Sequence, residues 1–415
     1  MTTQNSLLVE QWQSYRGEGV RLFDGASSYI DCASGTFNLS LGYSNAEVTS
    51  ALHEQIDRCS HLSSELTKEK TSAIFESLKE FLPPHIAAFW FRDIIGSSAT
   101  ECAIRIAQKA TGRSGIVSLF LSHHGQTVGA AGVSGNAFRQ ASFSLPFVGS
   151  LKIPAPDCLN CFYEKNPDSC NMLCARRLDD FLEYASNGQV AAVIIEPVLG
   201  NGGNIVPPPD YFKTLREVCD QNEILIIADE VQTGFGRTGS FFASNGFAKD
   251  LRPDIITFGK GAGGVGIPAA GVVMRAELDV LEPWEHSTTS GANPLALAAM
   301  DATIAYIKNH HVLQNVQVAG SALKQGLHEL ETEYPIMRNV RGVGLMLGFD
   351  LPNSETTSLF ISIAKSHGLI LRGSRYGFGH TIKVRPPLII SNDEVDEILV
   401  SLRSALADLS IRKTA

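Results

Sequence analysis

Four short, largely apolar runs, each ending in a polar or charged residue, constrain this chain more than any other feature. Residues 116–121 lead into Ser122, His123 and His124; 191–195 into Glu196 and Pro197; 224–228 into Asp229 and Glu230; 254–258 into Gly259 and Lys260. Runs of strand length without strict alternation suit strands buried on both faces, as in a parallel sheet covered by helices. Between them, Ala99, Cys102, Ala103, Ile106, Ala107 and Ala110 recur at helical spacing, as do Tyr211, Leu215, Val218 and Cys219. Ser391 and Glu394 have the spacing of a capping box and open a further amphipathic helix. The expected fold is α/β, a mainly parallel sheet in a large domain with a smaller α+β domain. In such sheets ligands bind outside the carboxyl ends of the strands, so His123, Glu196, Asp229 and Lys260 are expected to share one crevice.

The chain has 415 residues, which leaves room for two or three domains. The expected division is an N-terminal segment, 1–50, that joins the small domain; a large domain, 51–300; and a small C-terminal domain, 301–415. With 34 basic against 43 acidic residues the net charge is −9, the wrong sign for nucleic acid. The start has no signal-peptide pattern and no stretch of 18 consecutive apolar residues occurs, so a soluble, cytoplasmic protein without membrane partners is expected. Cys158, Cys161, Cys170 and Cys174 crowd into one window. A tetrahedral thiolate site could use that spacing, but the loop between the pairs is short and no His lies nearby. Reduced thiols in a surface excursion, with no metal, are therefore expected. Cys32, Cys59, Cys102 and Cys219 sit singly on apolar patterns and read as core residues.

Lys260 ends a buried run and is followed by a glycine-rich segment that leaves room around its amine. Burial favours the free amine, which is the form that condenses with a carbonyl. Asp229, at the end of another run, is the carboxylate that pyridoxal phosphate needs opposite its ring nitrogen. Gly96 and Ser97 precede a helix whose free N–H groups and dipole suit the cofactor's phosphate. Gly261, Gly263 and Gly266 match a dinucleotide fingerprint, but the segment that follows reads as a turn and a strand where the fingerprint needs a helix.

The segment from Asp229 to Gly239, followed by Pro253 to Lys260, resembles the signature of class III aminotransferases. The likeness extends through Gly96-Ser97, His124-Gly125, Glu196-Pro197, Thr289 to Pro294 and Pro386-Pro387. It implies fold type I, pyridoxal 5'-phosphate, a small-molecule amine substrate, and a homodimer with active sites at the interface. It also implies that Lys260 carries the cofactor, Asp229 pairs with the ring nitrogen, Gln232 bonds the ring hydroxyl, Val231 packs on one ring face, and Gly96 and Ser97 hold the phosphate. Thr289 would reach the phosphate in the partner subunit.

Three departures bear on the reaction. His123 stands where the family usually has an aromatic ring-stacking residue, and imidazole adds the capacity for acid or base chemistry. Asn201 and Lys383 replace the Glu and Arg that commonly handle a substrate carboxylate. Lys383 and Arg385 alternate along one strand, so they face the same way and could grip a dianion. This arrangement is similar to the branch of lyases acting on amino-phosphates and amino-phosphonates. The chain is also similar to dialkylglycine decarboxylase, although Thr36 replaces the Gln that follows the early Ser-Gly pair in that enzyme. The sequence thus places first a lyase that releases ammonia and a carbonyl product from an amino-phosphate or amino-phosphonate. Amino-group transfer from an ω-amine or amino acid to a keto acid comes second, and decarboxylation third. A catalytically idle, metal-stapled binding protein is disfavoured by intact Lys260 and Asp229.

Overall fold

The computed structural model describes residues 15–141, 149–374 and 380–414. An N-terminal meander comprises β1 (Tyr15–Glu18), β2 (Arg21–Asp24) and β3 (Ser27–Asp31). The central sheet has seven strands: β4 (Ala88–Asp93), β5 (Gly115–Leu119), β6 (Ser150–Ile153), β7 (Val190–Ile195), β8 (Leu225–Asp229), β9 (Ile255–Phe258) and β10 (Ala270–Met274), in the order β4-β10-β9-β8-β7-β5-β6. The run from β9 through β8, β7 and β5 to β6 is parallel, whereas β10 is antiparallel to both β9 and β4. A third sheet joins β11 (Arg338–Val343), β12 (Met346–Asp350), β14 (Arg372–Gly373) and β15 (Thr381–Val384), while β13 (Leu369–Ile370) pairs in parallel with β3.

The central strands are apolar on both faces because both faces are covered. Ala192, Ile194, Ile227 and Ile255 pack with Ala99, Cys102, Ala103 and Ile106 of the helix Gly96–Thr111. Their neighbours Val193, Ile195, Ile226 and Ile256 join the opposite core with Tyr211, Leu215 and Val218 of the helix Tyr211–Gln221. Each buried Ile, Leu or Val among them contributes roughly 1.5–3 kcal/mol. The capping box is also present: the Ser391 amide donates to Glu394 Oε2 at 2.9 Å and the Glu394 amide to Ser391 Oγ at 3.3 Å.

Two local expectations are corrected. The first run stops pairing at Leu119, two residues early, because Leu121 takes a left-handed backbone, φ +65°, that turns the chain toward the crevice. Cys32, Cys102 and Cys219 are buried, but Cys59 is half-buried. It caps the helix Ala46–Arg58 in an extended conformation, and its thiol donates to the His61 carbonyl at 3.1 Å. Among the described residues no helix is long and apolar enough to cross a membrane.

Candidate functional site

Two chambers meet over Lys260. The inner one, about 320 Å³, is lined by Gly96, Ser97, His123, Glu196, Asp229, Val231, Gln232 and Lys260 among others. The outer one, about 820 Å³, shares Thr36, His123, Gln232 and Lys260 with it and adds Asn201, Arg372, Lys383 and Arg385. Both volumes are in the range of small-molecule sites. The four strand ends do converge: β5 leads to His123, β7 to Glu196, β8 ends at Asp229 and β9 leads to Lys260. Lys260 itself sits at φ +44° in a single 3₁₀ turn, Lys260–Gly263, which replaces the helix a dinucleotide fingerprint would require.

Asp229 Oδ2 accepts from His124 Nδ1 at 2.7 Å, and Oδ1 accepts from the Val231 amide at 3.1 Å. Burial pushes the Asp229 carboxyl up, but the His124 hydrogen bond and the electrostatic effects of His124 and Lys260 outweigh it and hold the group below its usual range. A carboxylate held ionised in this way suits a protonated pyridine nitrogen. His124 is fixed in turn by its own backbone, since its amide donates to Ser134 Oγ at 2.9 Å and its carbonyl accepts from Thr100 Oγ1 at 2.8 Å. The sequence displayed His124 in a motif but gave it no role, and a His one residue past a strand-end His was the available signal.

Glu196 is 2% exposed and ties two loops together. It accepts from the His123 amide at 2.8 Å and from the Gly200 amide at 3.0 Å. Burial, together with the nearby Asp229 charge and against the opposing effect of His124, pushes its carboxyl up to about 7. Gly96 and Ser97 begin the helix Gly96–Thr111, and their surroundings need bare backbone. A Cβ on Gly96 would meet Val231 Cγ1 at 2.7 Å, and one on Gly125 would meet Ser97 Oγ at 2.7 Å. Bare backbone thus lets Val231 and Ser97 pack closely there, and the helix start at Gly96 and Ser97 lines the chamber, where its N–H groups suit a phosphate. With Lys260 and Asp229 on the same chamber, the residues present fit pyridoxal phosphate.

The outer chamber is cationic. Lys383 and Arg385 both line it, as their alternation along β15 and its continuation requires, and Arg372 stands opposite Lys383 on β14. No Asp or Glu occurs among the described residues lining it. Lys383 and Arg385 are only 7% and 6% exposed. Burial and the Arg385 charge push the Lys383 ammonium well down, and burial with Arg237 brings Arg385 to about 9. Arg385 donates to Gln232 Oε1 at 3.0 Å and lies over the Phe37 ring at 4.4 Å, with Arg237 over the same ring at 4.7 Å. Phe37, Arg237 and Arg372 carried no role in the sequence reading, because the contacts that recruit them join segments far apart in the chain. Thr36 borders both chambers, whereas Thr289 is exposed and lines neither chamber of its own chain.

Comparison with known proteins bears on this geometry. The family model for class III aminotransferases matches residues 6–406. A leucine/methionine racemase from Thermococcus litoralis is 35% identical over 398 residues, covering 92% of this chain and 87% of its own. A 5-aminovalerate aminotransferase from Pseudomonas putida is 32% identical over 391 residues, covering 92% and 90%. Among solved structures, an amine transaminase from an uncultivated Pseudomonas species in its PLP-bound form is 27% identical with a TM-score of 0.84, covering 95% of this chain and 94% of the other. The fold is therefore the type I architecture of pyridoxal phosphate-dependent transferases.

Proposed function

The chain belongs to the class III aminotransferase family and its cofactor is pyridoxal 5'-phosphate; from that premise we propose that it moves the amino group of a carboxylate-bearing amine onto a 2-oxo acid. The observation that carries the choice of substrate is the outer chamber, where Arg372, Lys383 and Arg385 stand beside Lys260 with no acidic residue among the described lining. Burial and neighbouring cations disfavour charge on Lys383 and Arg385, only partly offset by Glu196, and a substrate carboxylate would favour it. The relatives named for transamination favour the reaction that the sequence placed second over the elimination it placed first, and no relative compared bears the name of a phosphonate lyase.

When bound, the cofactor supplies an aldehyde that captures the amine and a ring that accepts negative charge from the adjacent carbon. Lys260 Nζ would carry the cofactor and, displaced by the substrate amine, would move the proton at the carbon bearing nitrogen. Asp229, kept ionised by His124, would hold a proton on the ring nitrogen. Gly96 and Ser97 would bind the phosphate, His123 and Val231 would confine the ring, and Gln232 would bond the ring hydroxyl while its oxygen accepts from Arg385. Thr36 would border the substrate, with Lys383 and Arg385 orienting its carboxylate. A homodimer completes this reading. Ile95 and Trp284, 50% and 78% exposed, flank Gly96 and the Thr289 loop with apolar surface that a second copy would cover.

The test mixes purified holoenzyme with 5-aminovalerate, diaminobutyrate or alanine, with and without 2-oxoglutarate or pyruvate. Formation of a new amino acid only when amine and oxo acid are both present is expected. Sustained ammonia release without an oxo acid would restore the lyase reading. A second reading, racemisation, is favoured by the Thermococcus relative, and inversion of an L-amino acid without any acceptor would put it first.

A further inference from the structure

Outside the active site, one group of nucleophilic side chains has no part in the reaction. Residues 154–172 form an irregular excursion between β6 and the short helix Leu173–Arg176, and its Cys158, Cys161 and Cys170, with Cys174 of that helix, all line a single small cavity. Its volume, about 20 Å³, is close to the space of one water molecule or one ion. The turns that present the thiols are specific. The Glu164 amide closes a turn on the Cys161 carbonyl at 3.0 Å, and the Leu173 amide closes another on the Cys170 carbonyl at 3.1 Å. Glu164, Asn171 and Met172 take left-handed backbone, at φ +53°, +49° and +52°, which non-glycine residues keep where surrounding contacts over-determine it. Tyr163 lines the same cavity, and its buried hydroxyl has no hydrogen-bond partner among the described residues.

Four thiols on one cavity of this size suit a shared dication, which binds the thiolates and releases their protons to solvent. Three ligating atoms come within 4.8 Å of one another, among the described residues, at Asp93, Cys102 and His286, a core trio already joined by the His286–Asp93 hydrogen bond at 2.9 Å. The four window sulfurs stand wider than that, so an ion must draw them in. Cys158, Cys161 and Cys170 sit on bends and irregular chain, outside helix and strand.

We propose that Cys158, Cys161, Cys170 and Cys174 form a four-thiolate site for one zinc ion. This replaces the expectation of separate surface thiols. Its consequence reaches the active site, because Phe162 packs edge-on against Phe120 at 5.8 Å, and Phe120 lies between β5 and His123. The ion thus staples the excursion that braces the strand-end segment carrying His123.

The experiment measures metal per chain in holoenzyme expressed with zinc supplementation and purified without chelators, beside Cys161→Ser, Cys170→Ser and the control Cys59→Ser. About one zinc per chain in the wild type and the control, falling at least tenfold in the two window variants, is expected. Cobalt exchanged into the wild type should give the visible bands of a tetrahedral thiolate complex. If the window variants do not fold, wild-type alkylation mapped by mass spectrometry suffices: the four window thiols should be protected until a chelator is added. Fewer than a tenth of a zinc per chain with all four thiols alkylated would overturn the proposal. So would a mass four daltons low that a reductant restores, since it would mean two disulfides.

Discussion

Glu196→Gln offers a measurement whose size follows from the structure. Folded Glu196 holds its proton to about pH 7 against an ordinary value of 4.5, chiefly because burial penalises its charge. Between those values the folded chain binds a proton that the unfolded chain has released, so this group's contribution falls as pH rises through the window. The difference corresponds to about 3 kcal/mol lost between pH 4.5 and pH 7.5, an order-of-magnitude figure. Gln cannot ionise, so the variant should escape that loss. It also presents one acceptor oxygen where Glu196 accepts from the amides of His123 and Gly200, which costs roughly 1–3 kcal/mol at every pH. The variant should therefore be the less stable protein at pH 5 and should recover most or all of the deficit by pH 8. Urea unfolding of cofactor-saturated protein, followed by tryptophan fluorescence at several pH values, reads the gap directly. A gap that stays constant from pH 5 to pH 8 would refute the reasoning, because Glu196 would then titrate alike in both states.

Lys260→Ala should abolish turnover and the absorbance of lysine-bound cofactor while leaving the far-ultraviolet circular dichroism intact; Asp229→Asn should retain cofactor yet lose most of kcat, and retention of full kcat would remove the ring-nitrogen role. Lys383→Ala should raise KM for the carboxylate-bearing amine roughly ten- to a hundred-fold, from about 1.5–3 kcal/mol for a charge-assisted contact, with cofactor affinity unchanged. Arg385→Ala should raise KM and also weaken cofactor binding, because Arg385 donates to Gln232 on the inner chamber; equal effects of the two variants on both parameters would argue against that division.

Much of the fold was legible because buried parallel strands write themselves as apolar runs. The carboxyl-end rule then placed His123, Glu196, Asp229 and Lys260 on one chamber without any contact being known. The antiparallel direction of β10 was not legible, since residue periodicity carries no strand direction. Cys59 was misplaced for a related reason: apolar spacing along residues 46–58 marks a helix face, but a residue at the C-cap leaves that face as the backbone extends.

The site was legible to the extent that local geometry determines it. Alternation put Lys383 and Arg385 on one side of a strand, and both line the outer chamber. What alternation could not show is how differently the two are held. Lys383 is flanked across the sheet by Gly348 on β12 and Arg372 on β14, so its nearest strand partners offer no negative charge. Arg385 lies against the Phe37 ring and reaches Gln232, 153 residues away, which lines the inner chamber as well. On the proposed reading Lys383 would serve the substrate, while Arg385 also bonds a residue that lines both chambers. If a carboxylate is bound there as proposed, it would compete with Gln232 Oε1 for the Arg385 guanidinium, so the Arg385→Ala variant is the one expected to touch both chambers.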